Sequence, residues 1–465
     1  MACRSYQLCA AVQTVVILIR QSSSGKPVRS AGAGKRRRQE GARYVRHHRW
    51  DHGSCAGRGR DDQARCPACG RPVKSVAIIG ASLAGLSAAR ALRDQGFDGN
   101  VTIIGGEPHR PYDRPPLSKE FLAGDVDEDG LRLEDDDEDL EARWFLGVRA
   151  VGLDPLGRRI ELSDGSELTA DGVVIATGAA ARWLPGAQQT EGAHVLRTVD
   201  DASALRAELL PGSRLVIIGA GFIGAEVAST ARKLGVDVTL VEATPTPLSL
   251  QVGQHVGARL AAMHAEHGTA LLLGVGVVGL DGSDRVTGVE LADGRRLPAD
   301  VVVIGIGARP EIDWLSGSGI ALGDGIICDS GGASSIPSVV AVGDCAAWFD
   351  PLSRGHERIE HWAGAVERPD TAVATLLAGG THAGGPPPQP YFWSNQYGSH
   401  IQFAGSTRAG DEVVIEEGER GFLAVYYRQG NPVAVLGVDQ VRQFTQMRRQ
   451  LVRELADIHL GDEVR

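Results

Sequence analysis

Gly219, Gly221 and Gly224 stand at the spacing Gly-x-Gly-x-x-Gly, and Glu242 follows Gly219 by 23 residues. Glycines so spaced can cradle a pyrophosphate. The first makes a tight turn, the second admits a close phosphate, and the third lets the next helix pack on its strand. The helix N-terminus then offers backbone N–H groups to the phosphates. A carboxylate at Glu242 can accept hydrogen bonds from a ribose 2′-hydroxyl and would repel a 2′-phosphate. Ala243-Thr244-Pro245 supplies no Arg or Lys to hold such a phosphate. The chemistry indicated is dinucleotide binding, NADH rather than NADPH, at Gly219, Gly221, Ile223, Gly224 and Glu242. The pattern recurs 139 residues earlier as Gly80-Ala81-Ser82-Leu83-Ala84-Gly85. Ser82 takes the middle position and is small enough for a phosphate to approach. Two such turns in one chain suggest two dinucleotides face to face, with FAD and NADH as the obvious pair.

These residues need strands and helices to carry them. Val76–Ile79 and Leu215–Ile218 are apolar runs that end on the glycine turns, and helical patterns follow each. Val101–Ile104 and Val238–Val241 are the next strands. Gly172–Ile175 leads into Ala176-Thr177-Gly178, and Val301–Ile304 leads into Gly305 and Gly307, where small residues admit a close ligand. Val339–Val342 ends on Gly343-Asp344, and a carboxylate at the C-terminal end of such a strand suits a polyol. The expected fold is α/β: two Rossmann-like three-layer dinucleotide-binding domains plus a small C-terminal α+β domain. Residues 74–186 and 306–383 form the first domain, 187–305 the second and 384–465 the last. The last domain is read from the Pro-rich linker 384–390, the strand-like runs Gln402–Gly405, Phe422–Tyr427 and Val433–Gly437, and an amphipathic helix over Phe444–Ile458.

Composition separates a head from a body. Residues 1–73 hold 15 Lys and Arg against 4 Asp and Glu, so of the net −10 the head contributes +11 and the body carries −21. The head also holds five of the seven cysteines. It reads as disordered by default, or as an extension that precedes a true translation start at Val73. A zinc site at Cys66 and Cys69, a signal peptide and a nucleic-acid or lipid contact are weaker readings. In the body only Cys328 and Cys345 remain, a usage that fits a reducing cytoplasm. The longest apolar run, Ala10–Ile19, is broken by Gln13 and Thr14 and falls short of the ~17–25 residues of a membrane span. The expectation is therefore a cytoplasmic protein with no metal, no nucleic acid and no membrane. The eleven carboxylates of residues 125–141 read as a solvated surface.

The segment Arg110-Pro111-Tyr112-Asp113-Arg114-Pro115-Pro116-Leu117-Ser118-Lys119, taken with both glycine turns, resembles the FAD-dependent, NADH-linked ferredoxin reductases of the putidaredoxin-reductase and biphenyl-dioxygenase-reductase type, related to apoptosis-inducing factor. The resemblance runs from Lys74 to the C-terminus and implies a glutathione-reductase-like fold. It implies that Arg114 contacts FAD and that Lys119 lies beside the flavin ring. The family's acidic ribose ligand falls on Gly106, so Glu107 is the substitute. Gly80, Ser82, Ala84, Gly85, Val148, Ala176, Thr177, Gly178 and Arg197 of Leu196-Arg197-Thr198 are implied FAD contacts. Asp344 is implied to bind the ribitol, and Trp362 and Trp393 to meet or cover the flavin. Glu360, of Glu360-His361-Trp362, is implied at the nicotinamide with Gly305 and Gly307.

The disulfide reductases of this fold carry a Cys-x4-Cys after the first glycine turn, and no thiol stands there in this chain. What remains is cofactor chemistry, with the protein supplying position and charge. The implied reaction passes a hydride from NADH to FAD, with Lys119, paired to Glu360, stabilising the charge of the reduced ring. Single electrons then go to a 2Fe–2S ferredoxin serving an oxygenase or a cytochrome P450. Arg110, Arg442, Arg448 and Arg449 are candidates for docking an acidic partner. The same scaffold admits an NADH-rubredoxin or quinone reductase, or an NADH-sensing interaction protein resembling apoptosis-inducing factor. A monomer and a dimer are equally compatible with the sequence.

Overall fold

In the computed structural model, Val76, Ala77, Ile78 and Ile79 are all nearly inaccessible to solvent, as expected of a strand covered on both faces. The described residues are 73–135, 138–351, 353–380 and 390–462, with side chains described to residue 453. The expectations for the basic head therefore lie outside the described residues, as does most of the Pro-rich linker.

Among the described residues the seven α-helices, in chain order, are α1 (Leu83–Asp94), α2 (Glu120–Ala123), α3 (Val199–Glu208), α4 (Phe222–Lys233), α5 (Ser249–Glu266), α6 (Trp362–Leu377) and α7 (Val441–Asp462). The first parallel sheet runs Val339–Ala341, Gly172–Ile175, Ser75–Ile79, Asn100–Gly105, Ala142–Leu146. The second runs Ala270–Leu273, Asp237–Glu242, Arg214–Ile218, Val301–Ile304, Ala193–His194. In each, the strand before the glycine turn lies at the centre, so the turn emerges at the C-terminal edge, where such sheets bind ligands.

The last sheet is antiparallel, in the order Tyr391–Gln396, Ser399–Gly405, Asn431–Val438, Phe422–Arg428, Glu412–Glu417. Its inner strands are buried along continuous runs, such as residues 401–405 and 422–426, because both of its faces are covered. One face packs on Phe444 and Leu451 of α7. The other packs on Val252, Val256 and Leu260 of α5. That second contact ties the antiparallel sheet to the second nucleotide fold.

Two local expectations shift. Val148-Arg149-Ala150-Val151 reads as a strand from its sequence, but the strand begins at Ala150 and runs to Asp154, paired with Arg159–Leu162. Val148 is held one step earlier, its N–H donating to Gly105 O at 2.9 Å. The acidic run is also less free than expected: Glu138 grips Arg90 at 2.6 Å, and Glu134 pairs with Arg110.

Candidate functional site

Both glycine turns open into one cleft of about 1120 Å³. This exceeds the ~300–1,000 Å³ usual for one ligand. Ser82 and Ala84 line one end, Gly221, Ile223 and Glu242 the other. The N-caps of α1 and α4 are Ser82 and Gly221, and neither helix start has a side-chain cap. The first-turn N–H groups therefore remain available to an anion, at the positive end of each helix dipole.

At the first turn, side chains distant in sequence form one chain of contacts. Arg114 donates to Glu107 Oε1 at 2.6 Å, to Arg197 O at 2.6 Å and to Ser82 Oγ at 3.2 Å. Arg197 reaches Asp344 Oδ2 at 2.7 Å. The Tyr112 hydroxyl donates to Glu107 and accepts from Val199 N. Burial opposes ionisation of Glu107, but the Arg114 charge and the Tyr112 hydroxyl outweigh it and hold the carboxyl below its usual range. Glu107 therefore points into the cleft ionised and neutralised by Arg114. Gly106, by contrast, lies beside Arg149, whose side chain would crowd a Cβ there at 2.9 Å.

Thr177, Gly178 and Ala176 line the cleft, with the Thr177 hydroxyl donating to Glu311 O at 2.7 Å. Trp362 and Trp393 meet edge to face at 5.7 Å on its wall. The Trp362 indole also donates to Asp113 at 3.1 Å. Val148 does not line the cleft; it packs against the first core.

At the second turn, Glu242 accepts from Ala220 N at 2.8 Å, from Thr244 N at 2.9 Å and from the Thr244 hydroxyl at 2.9 Å. A carboxylate offers about four acceptor positions, so Glu242 can brace the turn and still accept from a sugar. Gly305, Ile306 and Gly307 line the facing wall.

The two halves meet at a pair that the sequence reading misassigned. Lys119 Nζ lies 2.6 Å from Glu226 Oε2 on α4, whereas Glu360 pairs with Arg358. The reason is desolvation: the Lys119 side chain is 12% exposed and Glu226 3%, and a buried ammonium needs an equally buried counter-charge. Glu360 is 38% exposed, and Arg358 beside it also donates to Asp344 O. Glu226 accepts further from Ser118 Oγ and, at 2.7 Å, from Ser394 Oγ. Its only sequence signal is a carboxylate on the otherwise apolar inward face of α4, among Ala225, Val227 and Ala228.

His361, the middle residue of Glu360-His361-Trp362, also lines the cleft. Burial pushes its pKa down to about 4, with Asp344 opposing, so it is neutral. Its Nδ1 is buried without a hydrogen-bond partner. Of the docking candidates, Arg110 is paired to Glu134 and lies over the Trp144 ring at 3.7 Å. Arg448 lies over the Tyr391 ring at 4.1 Å, and Arg442 and Arg449 are exposed on α7.

The donor set fits both dinucleotides: uncapped helix starts for two pyrophosphates, carboxylates for ribose or ribitol hydroxyls, and apolar and aromatic walls for the rings. Comparison with known proteins agrees. Residues 74–368 match the model of the pyridine nucleotide-disulphide oxidoreductases, and residues 391–458 that of the reductase C-terminal domain. The ferredoxin reductase component of chlorobenzene dioxygenase from Cupriavidus sp. (strain PS12) is 41% identical over 396 residues, 82% of this chain and 93% of that protein. The ferredoxin–NAD(+) reductase component of the biphenyl dioxygenase system of Paraburkholderia xenovorans (strain LB400) is 37% identical over 386 residues, 80% and 92% of the two chains. Among solved structures, the covalent putidaredoxin reductase–putidaredoxin complex superposes with a TM-score of 0.77 at 32% identity, covering 81% of this chain and 93% of that one.

Proposed function

This chain belongs to the pyridine nucleotide-disulphide oxidoreductase family, among its ferredoxin reductases, and on that premise we propose that it moves electrons from NADH through FAD to a 2Fe–2S ferredoxin. That ferredoxin would serve an oxygenase or a cytochrome P450. The observation that carries the reading is the single cleft joining two uncapped helix starts, with the Lys119–Glu226 pair on its wall. FAD, when bound, would supply the hydride-accepting and single-electron-releasing chemistry that no side chain here supplies.

The protein's part is position and charge. Arg114, Arg197 and Asp344 hold the FAD phosphates and ribitol, and Glu107 takes the ribose. Gly219, Gly221, Ile223 and Glu242 hold NADH, with Gly305, Gly307 and Glu360 at its nicotinamide end. Lys119 keeps a fixed positive charge where negative charge develops. Its carboxylate partner orients the ammonium without exposing it to water. Trp362 and Trp393 keep solvent from the ring. Residues 74–186 and 306–383 bind FAD, 187–305 bind NADH, and 384–465 cover the flavin.

A thiol mechanism is disfavoured by placement. Cys328 and Cys345 are buried, neither lines the cleft, and burial pushes both thiols up. Two unpaired cysteines also suit the cytoplasm. Among the described residues no helix is long and apolar enough to cross a membrane.

Anaerobic titration with NADH tests the reading. The flavin spectrum should bleach with one NADH per protein, much faster than with NADPH, and cytochrome c reduction should then depend on added ferredoxin. A persistent long-wavelength band with slow reoxidation by ferredoxin would instead indicate a sensor.

A further inference from the structure

The turn Tyr397-Gly398 joins strands Tyr391–Gln396 and Ser399–Gly405 with both residues at positive φ, +53° and +82°. A two-residue hairpin of this kind favours Asn or Asp before Gly. A bulky residue is disfavoured in the left-handed region, so Tyr397 is held there by something else. Its hydroxyl lies 2.8 Å from His264 Nδ1 and 2.9 Å from Thr269 Oγ1. Its ring stacks on His267 at 4.5 Å and meets His264 edge-on. His264 and Thr269 are 1% and 3% exposed. The antiparallel sheet thus pushes one aromatic plug into a socket of the second nucleotide fold.

The plug bears on the cleft through α4. Tyr397 N–H donates to Ser229 Oγ at 2.7 Å. Three residues earlier, on the strand that leads into the turn, Ser394 Oγ donates to Glu226 Oε1 at 2.7 Å. Glu226 and Ser229 are three apart on α4 and so share a face. The strand is therefore pinned along the helix at two points. A slip by one residue would turn Ser394 to the other face of its strand.

We propose that Tyr397 is a positioning residue for the Lys119–Glu226 pair: its plug fixes the strand Tyr391–Gln396 along α4 so that Ser394 holds the Glu226 carboxylate in place. The inference rests on the reading of Lys119 and Glu226 as flavin-site groups.

The test is anaerobic stopped-flow reduction of the holoprotein by NADH, in wild type, Ser394→Ala, Tyr397→Asn, Tyr397→Phe and the Ser394→Ala/Tyr397→Asn double variant. Asn suits the left-handed position, so Tyr397→Asn keeps the turn and loses the plug. Ser394→Ala and Tyr397→Asn should each slow the limiting reduction rate about fivefold, and the double variant should be no slower than Ser394→Ala, since residues acting through one contact are not additive. The NADH concentration for half-maximal rate should stay unchanged. Losses that multiply, or a wild-type rate in either single variant, would overturn the proposal. Should Tyr397→Asn lose its flavin, Tyr397→Phe decides alone: a reduced limiting rate supports the proposal and a wild-type rate overturns it. Failure of the wild-type flavin to be reduced by NADH would defeat the functional reading instead.

Discussion

The two nucleotide folds share a scaffold and differ in what fills the turn. In the first, Gly80 N–H donates to Ile104 O at 2.7 Å and a Cβ at Gly80 would sit 2.0 Å from Ala176 O. In the second, Gly219 N–H donates to Val241 O at 2.8 Å and a Cβ would sit 2.2 Å from Gly305 O. Both leading glycines have positive φ, +125° and +101°. Beyond this the turns diverge. Ser82 accepts from Arg114, which is anchored to Glu107 and Arg197. Gly221 has nothing within 4 Å of where its Cβ would be. One turn is surrounded by a clasp of side chains and the other is left open. That contrast suits a resident cofactor beside one that must come and go.

The largest effect should come from the shared part. Gly80→Ala and Gly219→Ala each drive a methyl into a backbone carbonyl and force an unfavourable φ, a cost of about 3 kcal/mol or more. The readouts should separate the folds. Gly80→Ala should yield colourless protein, and Gly219→Ala yellow protein that NADH no longer reduces. Loss of flavin from both would mean that the folds do not bind independently.

Next in size is the seam between them. Glu226→Gln leaves the Lys119 ammonium buried without its counter-charge, which costs about 3–5 kcal/mol. Denaturant unfolding should show that loss, and flavin reduction should slow. An unchanged midpoint would mean that water reaches the pair and that the folds are not joined by a desolvated contact.

Acid should weaken the two halves in the same pH window. Burial lowers His361, in the first half, to about 4, and likewise His264 against the second, with His267 adding to the effect. Each is neutral when folded and protonated when unfolded between about pH 6.5 and 4. Their stability contribution is therefore full above pH 6.5 and is lost as pH falls, by about 2 kcal/mol each near pH 5. Glu107 is depressed, so its contribution is present above the ordinary carboxylate range and is lost only below it. His264→Gln should roughly halve the loss of stability between pH 6.5 and 5, leaving the His361 share, without altering the Glu107 step; an unchanged profile would show that His264 is hydrated.

What could be read from sequence follows the range of each interaction. Glycine turns, strand ends and Glu242 lie within one local unit, so spacing alone placed them. Arg114 and Lys119 were located by their loop, but their partners were not. Glu226 is 107 residues from Lys119 and stands in a helix whose pattern is explained by dinucleotide packing alone. Glu360 was the wrong partner because a sequence motif does not report exposure. The acidic run shows the same limit, since a charge cluster reads alike whether it is hydrated or, as at Glu134 and Glu138, gripping arginines. Tyr397 carries no sequence signal; its backbone angle and its contacts with His264, His267 and Thr269, all more than 125 residues away, mark it only in the fold.

The smallest effect should fall on the residue that distinguishes the turns. Ser82 has φ −112° and Gly221 φ −70°, so neither middle position requires a glycine conformation. Ser82→Gly removes only the 3.2 Å contact from Arg114 Nε, and Arg114 keeps its two shorter bonds. Exchanging Ser for Gly at a helix N-cap costs only a few tenths of a kcal/mol, so flavin retention should change by less than about threefold. The reverse exchange, Gly221→Ser, puts a hydroxyl into open space that a phosphate would enter. It should raise the KM for NADH roughly tenfold, about 1.4 kcal/mol, with flavin content unchanged. Equal KM values in Gly221→Ser and wild type would show that the second turn is open for a reason other than nucleotide approach, and the contrast between resident and exchanging cofactor would then rest on the Arg114 clasp alone.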